Sequence, residues 1–174
     1  AFAQTNPAAQ AARDWRQRHE RAIVAELATL LAVPNVSSDR PNLRRNAELI
    51  AKMMEQRGIT TRLISAADAN PIVFGELATP GATRTLVFYA HYDGQPVQAS
   101  EWTTPPFEPA LRDKPLESGG TIVPLAGSAP LQPESRLYAR SSADDKAPII
   151  ALMAAIDALR AAGIQTKSHI KFVF

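Results

Sequence analysis

The sequence predicts an α/β domain: a mixed, largely parallel sheet flanked by helices. Three observations carry that expectation. Segments with apolar residues at helical spacing alternate along the chain with short runs rich in Val, Ile, Phe and Thr. One run, Thr85-Leu86-Val87-Phe88-Tyr89-Ala90, is continuously apolar, as expected of a central strand buried on both faces. The 174 residues are 45% hydrophobic and 21% charged, which suits one compact domain and argues against wholesale disorder.

From Pro7 to Leu31, Trp15, Ile23, Leu27, Leu30 and Leu31 fall on one helical stripe, and Pro34 ends the helix. A second helix runs from Pro41 to Arg57. Pro41 suits its first turn, Leu43, Ala47, Ile50 and Met54 form its stripe, and Gly58 stops it. Thr60 to Ile64 and Ile72 to Leu77 read as strands bounded by turn residues, and Thr85 to Ala90 comes next. Residues 94 to 135 hold much of the Pro and Gly, a loop long enough to suggest function, with short extended pieces inside it. Leu137 to Arg140 reads as a strand. From Asp144 to Ala162, Ile149, Leu152, Met153, Ile156 and Leu159 mark a helix that Gly163 closes, and His169 to Phe174 is a final strand. The chain has no internal repeat.

Composition excludes several classes of function. With no cysteine there are no disulfides, zinc-thiolate sites or thiol nucleophiles. Nineteen Lys and Arg against seventeen Asp and Glu leave a net charge of +2. The early arginines (Arg13, Arg16, Arg18, Arg21, then Arg40, Arg44, Arg45 and Arg57) alternate with Asp14, Glu20, Glu26 and Glu48. That pattern describes a solvated helix face rather than a nucleic-acid surface. No apolar run reaches the roughly 20 residues that cross a bilayer. Ala1-Phe2-Ala3-Gln4 looks like the small-x-small end of a secretory signal peptide, so a periplasmic or secreted location and a cytoplasmic one both stay open.

Two clusters can carry chemistry. His91-Tyr92-Asp93 directly follows the apolar strand, where open α/β sheets build ligand sites. A neutral imidazole is a common metal ligand, and a nearby carboxylate can hold its other ring N–H. Asp144-Asp145-Lys146 opens the last helix. Its carboxylates have two readings: they cap the helix and complement its dipole, or one of them faces a cation and bridges two metals roughly 3.5–4 Å apart. His19 reads as solvated and His169 as structural. Tyr92 and Trp102 could pack the loop or meet substrate. Ser141 and Ser142 lack a nucleophile elbow and a base.

Taken together, Phe88-Tyr89-Ala90-His91-Tyr92-Asp93-Gly94-Gln95-Pro96-Val97, then Trp102 and Pro105-Pro106-Phe107, then Leu137 through Pro148, form a specific order. It resembles the metallopeptidase family of acetylornithine deacetylase, succinyl-diaminopimelate desuccinylase, aminoacylase, carnosinase-type dipeptidases and glutamate carboxypeptidase. Within that family it is most similar to the dipeptidase branch, whose first motif reads His-x-Asp-Val-Gln-Pro. The resemblance implies that His91 is a terminal metal ligand, Asp93 the catalytic-site carboxylate that orients it, and Asp144 the bridging ligand. Asp145 and Lys146 match the motif without being ligands. The family has Gly where this chain has Ala139, Ser141 and Ala147, and Val where it has Gly94. A cis peptide between Asp144 and Asp145 is implied as well.

The resemblance also sets the functional expectation. Residues 1–174 would be the amino-terminal part of the catalytic domain. The Glu-Glu pair holding the general base, two further ligands and the lid or dimerisation domain would lie beyond them. The activity would be hydrolysis of a peptide or N-acyl amide bond with two divalent ions, zinc foremost and cobalt or manganese as alternatives. The ions would not be fully bound by this stretch alone. Small peptides or N-acyl amino acids would be the substrates, a homodimer the assembly, and neither nucleic acid nor membrane a partner. The alternative is an inactive α/β module that binds a partner.

Overall fold

Caps and prolines set the first two helices. The computed structural model describes residues 6–67 and 69–174, so Ala1-Phe2-Ala3-Gln4 lies outside the described residues. Asn6 caps α1 (Pro7–Leu31) by accepting the Ala8 backbone N–H, and Pro7 occupies the first turn, where its missing donor is not needed. Asp39 does the same for α2 (Arg40–Glu55), accepting from the Asn42 N–H ahead of a stripe of Leu43, Ala47, Ile50 and Met54. Gly58, at φ 59°, turns the chain out of that helix.

Among the described residues six strands come after it: β1 (Thr60–Ile64), β2 (Ile72–Leu77), β3 (Thr85–Tyr89), β4 (Ala110–Arg112), β5 (Arg136–Tyr138) and β6 (His169–Val173), with α3 (Lys146–Ala161) before the last. The main sheet has the order β1-β2-β6-β3. The fold is α/β with a mixed sheet, as expected, but parallel pairing is confined to β3 and β6, and β1–β2 and β2–β6 are antiparallel. The cause lies in the connections. A parallel pair needs a long crossover, which the segment containing α3 supplies between β3 and β6, whereas the short link between β1 and β2 returns the chain antiparallel.

One expectation changes. β3 is an edge strand, not a central one buried on both faces. Its Phe88 stacks on Phe172 of the core, at 6.1 Å between ring centroids, while Val87 and Tyr89 are 62% and 72% exposed. Helices cover one face of the sheet and no strand flanks β3 on its outer side, so Phe88 is partly buried and Ala90 fully, while Leu86 too is 50% exposed. β5 lies outside the main sheet. It pairs antiparallel with β4 in a two-stranded ribbon that orders part of the long 94–135 connection, along with 3-10 turns at Ala99–Glu101 and Leu116–Ser118.

The core lies between the covered face and the helices, with Val73, Ile170 and Phe172 meeting Ile50, Met54, Ile149, Ile150 and Met153. Two arginines assigned to a solvated face hold the layers instead. Arg57 pairs with Glu26 of α1 and Asp157 of α3, at 2.8 and 2.7 Å, with its side chain 11% exposed. Arg21 donates to the Pro124, Leu125 and Ala129 carbonyls and fastens the long connection to α1. Among the described residues no helix is long and apolar enough to cross a membrane.

Candidate functional site

The two sequence clusters meet. Residues 90–94 leave the end of β3, residues 139–145 lead into α3, and both arrive at the same end of the sheet. His91 Nε2 lies 3.0 Å from Asp144 Oδ1, although the two residues are 53 positions apart in sequence. On the other side of the ring, Nδ1 lies 3.1 Å from both Oδ1 and the backbone carbonyl of Asp93. The expected cis peptide joins Asp144 to Asp145.

The ring therefore has an oxygen acceptor at each nitrogen. A neutral imidazole can donate from only one of them. With the proton on Nδ1 for Asp93, the Nε2 lone pair faces a carboxylate, and a positive charge is needed between them. Either a proton or a metal cation supplies it. Burial lowers the His91 pKa, but the Asp93 carbonyl, the charges of Asp93 and Asp145 and the hydrogen bond to Asp144 outweigh it, and the net direction is upward. Asp144 is 82% exposed and His91 38%, so this position is open to solvent and to a ligand. A cleft of about 310 Å³, lined by Asn70, Pro71, Ile72, Tyr89, His91 and Asp93, opens beside the ring.

Asp145 and Lys146 complete the arrangement in ways their residue types alone did not reveal. Asp145 is the N-cap residue of α3 yet makes no side-chain capping bond, and its Oδ2 instead accepts the His91 backbone N–H at 3.2 Å. The capping explanation fails for this carboxylate, which braces the histidine. Lys146 points the other way and is fully buried. Its Nζ donates at 2.9 Å to the Leu30 and Val33 carbonyls at the end of α1, the negative pole of that helix. Burial pushes the ammonium pKa down to about 7. Lys146 could have been suspected from the sequence, since a lone cation among Ala147, Ile149 and Ile150 must find acceptors when buried.

The remaining candidates fall into place. Tyr92 is buried and its hydroxyl donates to the Pro71 carbonyl, so it packs the loop. Burial and the Asp93 charge push its pKa up to about 12. His169 is structural, with Nδ1 accepting the Thr79 N–H at 3.2 Å. His19 stacks on Trp15 on the exposed side of α1, at 4.2 Å between centroids. Trp102 lines a cavity with Arg112, Leu116 and Tyr138 in the long connection.

Among the described residues, no group of three His, Asp or Glu forms a metal cage by itself. What is present would suit part of one: an imidazole with Asp93 oxygens at Nδ1 and an exposed carboxylate at Nε2.

The chain has known relatives in sequence and in fold. Residues 87–174 match the model of peptidase family M20/M25/M40. The chain is 26% identical over 164 residues to the Cys-Gly metallodipeptidase dug1 of Schizosaccharomyces pombe, covering 87% of this chain and 30% of that protein. It is 30% identical over 151 residues to the Cys-Gly metallodipeptidase DUG1 of Candida albicans, covering 78% and 27%. The chain thus spans less than a third of the length of these relatives. In fold it is similar to the dipeptidase Dug1p of Saccharomyces cerevisiae, with TM-score 0.74 and 19% identity over 95% of this chain and 34% of that one. Human carnosine dipeptidase 1 superimposes with TM-score 0.73 and 21% identity over 97% and 34%.

Proposed function

The chain belongs to peptidase family M20/M25/M40, and from that premise we propose that it contributes part of a metal-dependent site hydrolysing a peptide or N-acyl amide bond. The observation that carries the reading is the 3.0 Å approach of His91 Nε2 to Asp144 Oδ1, with Nδ1 already taken by Asp93. His91 and Asp144 would hold the metal. Two divalent ions, zinc foremost with cobalt or manganese as alternatives, would polarise the scissile carbonyl and bring a water molecule toward neutral pKa.

The chain's own residues prepare that chemistry. Asp93 keeps the proton on Nδ1, which leaves the Nε2 lone pair outward. Asp145 holds the histidine backbone and so keeps the loop that carries the ring beside Asp144. Tyr92 packs between the two site residues of its loop and resists their displacement. Small peptides are the proposed substrates, with Cys-Gly and β-Ala-His the first to try because relatives carry those names. N-acyl amino acids, a homodimeric assembly and export from the cytoplasm belong to the same proposal.

By itself, the 174-residue chain is expected to be inactive. Two protein ligands leave most coordination positions to water, and zinc held this way exchanges freely. Adding zinc or cobalt to the purified chain should give no dipeptide turnover. Turnover that disappears in Asp144→Ala would show the site to be complete within these residues. For the proposed activity itself, the complete gene product should cleave dipeptides in a chelator-sensitive manner and lose at least about a hundredfold in rate on His91→Ala or Asp144→Ala. Chelator-resistant hydrolysis, or full activity in both variants, would refute it. One observation favours the non-catalytic alternative: β3 presents Leu86, Val87 and Tyr89 half or more exposed, a surface a partner chain could cover.

A further inference from the structure

We infer that Asn35 and Ser141, packed against the bare backbone of Gly94, are positioning residues that hold the His91 loop and the Asp144 loop in register. The inference deepens the proposed metal-hydrolase reading and rests on it. Asn35 is fully buried, and its Nδ2 donates to the Tyr92 carbonyl at 2.6 Å and to Ser141 Oγ at 2.9 Å. Tyr92 lies between His91 and Asp93, and Ser141 stands three residues before Asp144. One side-chain amide thus spans the two loops whose tips meet at Nε2 and Oδ1.

The fit leaves no space for a side chain at position 94. A Cβ there would stand 2.7 Å from Ser141 Oγ, 3.2 Å from Asn35 Nδ2 and 3.3 Å from Arg140 Nε. Gly94 cannot retreat, because its N–H donates to the Asn35 carbonyl at 2.7 Å and its carbonyl accepts from the Ser37 N–H at 2.9 Å. Ser141 is held in a left-handed turn at φ 62°, with its carbonyl accepting the Lys146 N–H at 3.2 Å. Gly94 itself is not among the positive-φ glycines. Its lack of a side chain is therefore required by the serine across from it and not by its own backbone. Two separate departures from the motif, at 94 and at 141, are one packing unit. Among the described residues the buried Asn35 Oδ1 and Arg140 Nε at the same junction have no hydrogen-bond partner, so it has capacity for another hydrogen bond but none for another carbon atom.

A double-mutant cycle on this chain tests the lock. Gly94→Ala is expected to lower the unfolding temperature by about 5 °C. Ser141→Gly should cost less, since glycine suits the left-handed turn while one hydrogen bond is lost. The double variant should recover most of the Gly94→Ala loss. Additive losses, or Gly94→Ala as stable as the parent, overturn the steric lock. Should Gly94→Ala fail to fold, a folded double variant supports it and an unfolded one overturns it.

Positioning has its own readout. Asn35→Ala, and Asn35→Asp, which keeps the shape but cannot donate, should move the His91 ring nitrogen signals in NMR. Both should weaken cobalt binding, followed by visible absorption, by roughly tenfold. Unmoved ring signals with unchanged cobalt affinity overturn the role. A parent that takes up no cobalt contradicts the metal reading separately, and the ring signals then decide the positioning: moved supports it, unmoved overturns it.

Discussion

The helix-covered face of the sheet and the junction of the His91 and Asp144 loops are held by different physics. On the covered face Val73, Ile150, Met153, Ile170 and Phe172 are buried among other apolar side chains, each making many weak contacts that neighbours share. At the junction the Asn35 amide, the Asp145 carboxylate and the Ser141 hydroxyl each hold a partner through directed bonds between 2.6 and 3.2 Å. Shared area tolerates swaps of similar volume, whereas a directed bond is lost with one atom. The core should therefore dominate stability and the junction should dominate geometry.

The largest expected effect is on the core side. Phe172→Ala removes a fully buried ring that meets Phe88 and Phe174, and should cost about 3–5 kcal/mol in denaturant unfolding. The His91 ring signals of the folded fraction should not move. A loss below about 1 kcal/mol would break the contrast between the two regions.

Lys146 sits where the two regions touch, and it sharpens the comparison. Lys146→Met keeps the apolar stem but leaves the Leu30 and Val33 carbonyls without their donor, for a loss of roughly 1–3 kcal/mol at neutral pH. Folding brings the ammonium pKa from 10.5 down to about 7. Between those values the unfolded chain holds a proton that the folded chain sheds, so the parent's stability should rise with pH across this window relative to Lys146→Met, and stay level below it. Parallel pH profiles for the two proteins would contradict the assignment. The smallest effect belongs to the open face of the sheet: Tyr89→Thr, at a position 72% exposed, should change stability by no more than about 0.5 kcal/mol. A loss above about 2 kcal/mol would mean that this face is packed.

The same contrast explains what could be read in the sequence. Periodicity records burial, so α1, β1 and β2 were legible to their end residues, and α2 and α3 to within two residues. It does not record which edge of a sheet a strand takes. The run at 85–90 looked central because Val87 and Tyr89 are as apolar as Phe88, although only Phe88 faces the helices. At the site, His91, Asp93 and Asp144 were singled out by the resemblance of their motifs to the metallopeptidase family, since His-x-Asp and paired carboxylates alone leave other readings open, and the structure brings all three together. Asn35 and Gly94 were not, since a buried amide and a loop glycine give no periodic signal and gain meaning only from what lies across from them. Arg57 was misread for a related reason: charge alternation along a chain cannot distinguish a solvated face from an arginine that bridges Glu26 and Asp157 between two helices.

The central claim is that His91 and Asp144, distant in sequence, form one cation site. Calorimetric titration of the chain with zinc tests it most directly, comparing the parent with His91→Ala, Asp144→Ala and the remote control Asp14→Ala. Weak binding is expected for the parent and for Asp14→Ala, and none for either site variant, because each removes one of the two proposed ligands. A His91→Ala chain that binds zinc as the parent does would contradict it.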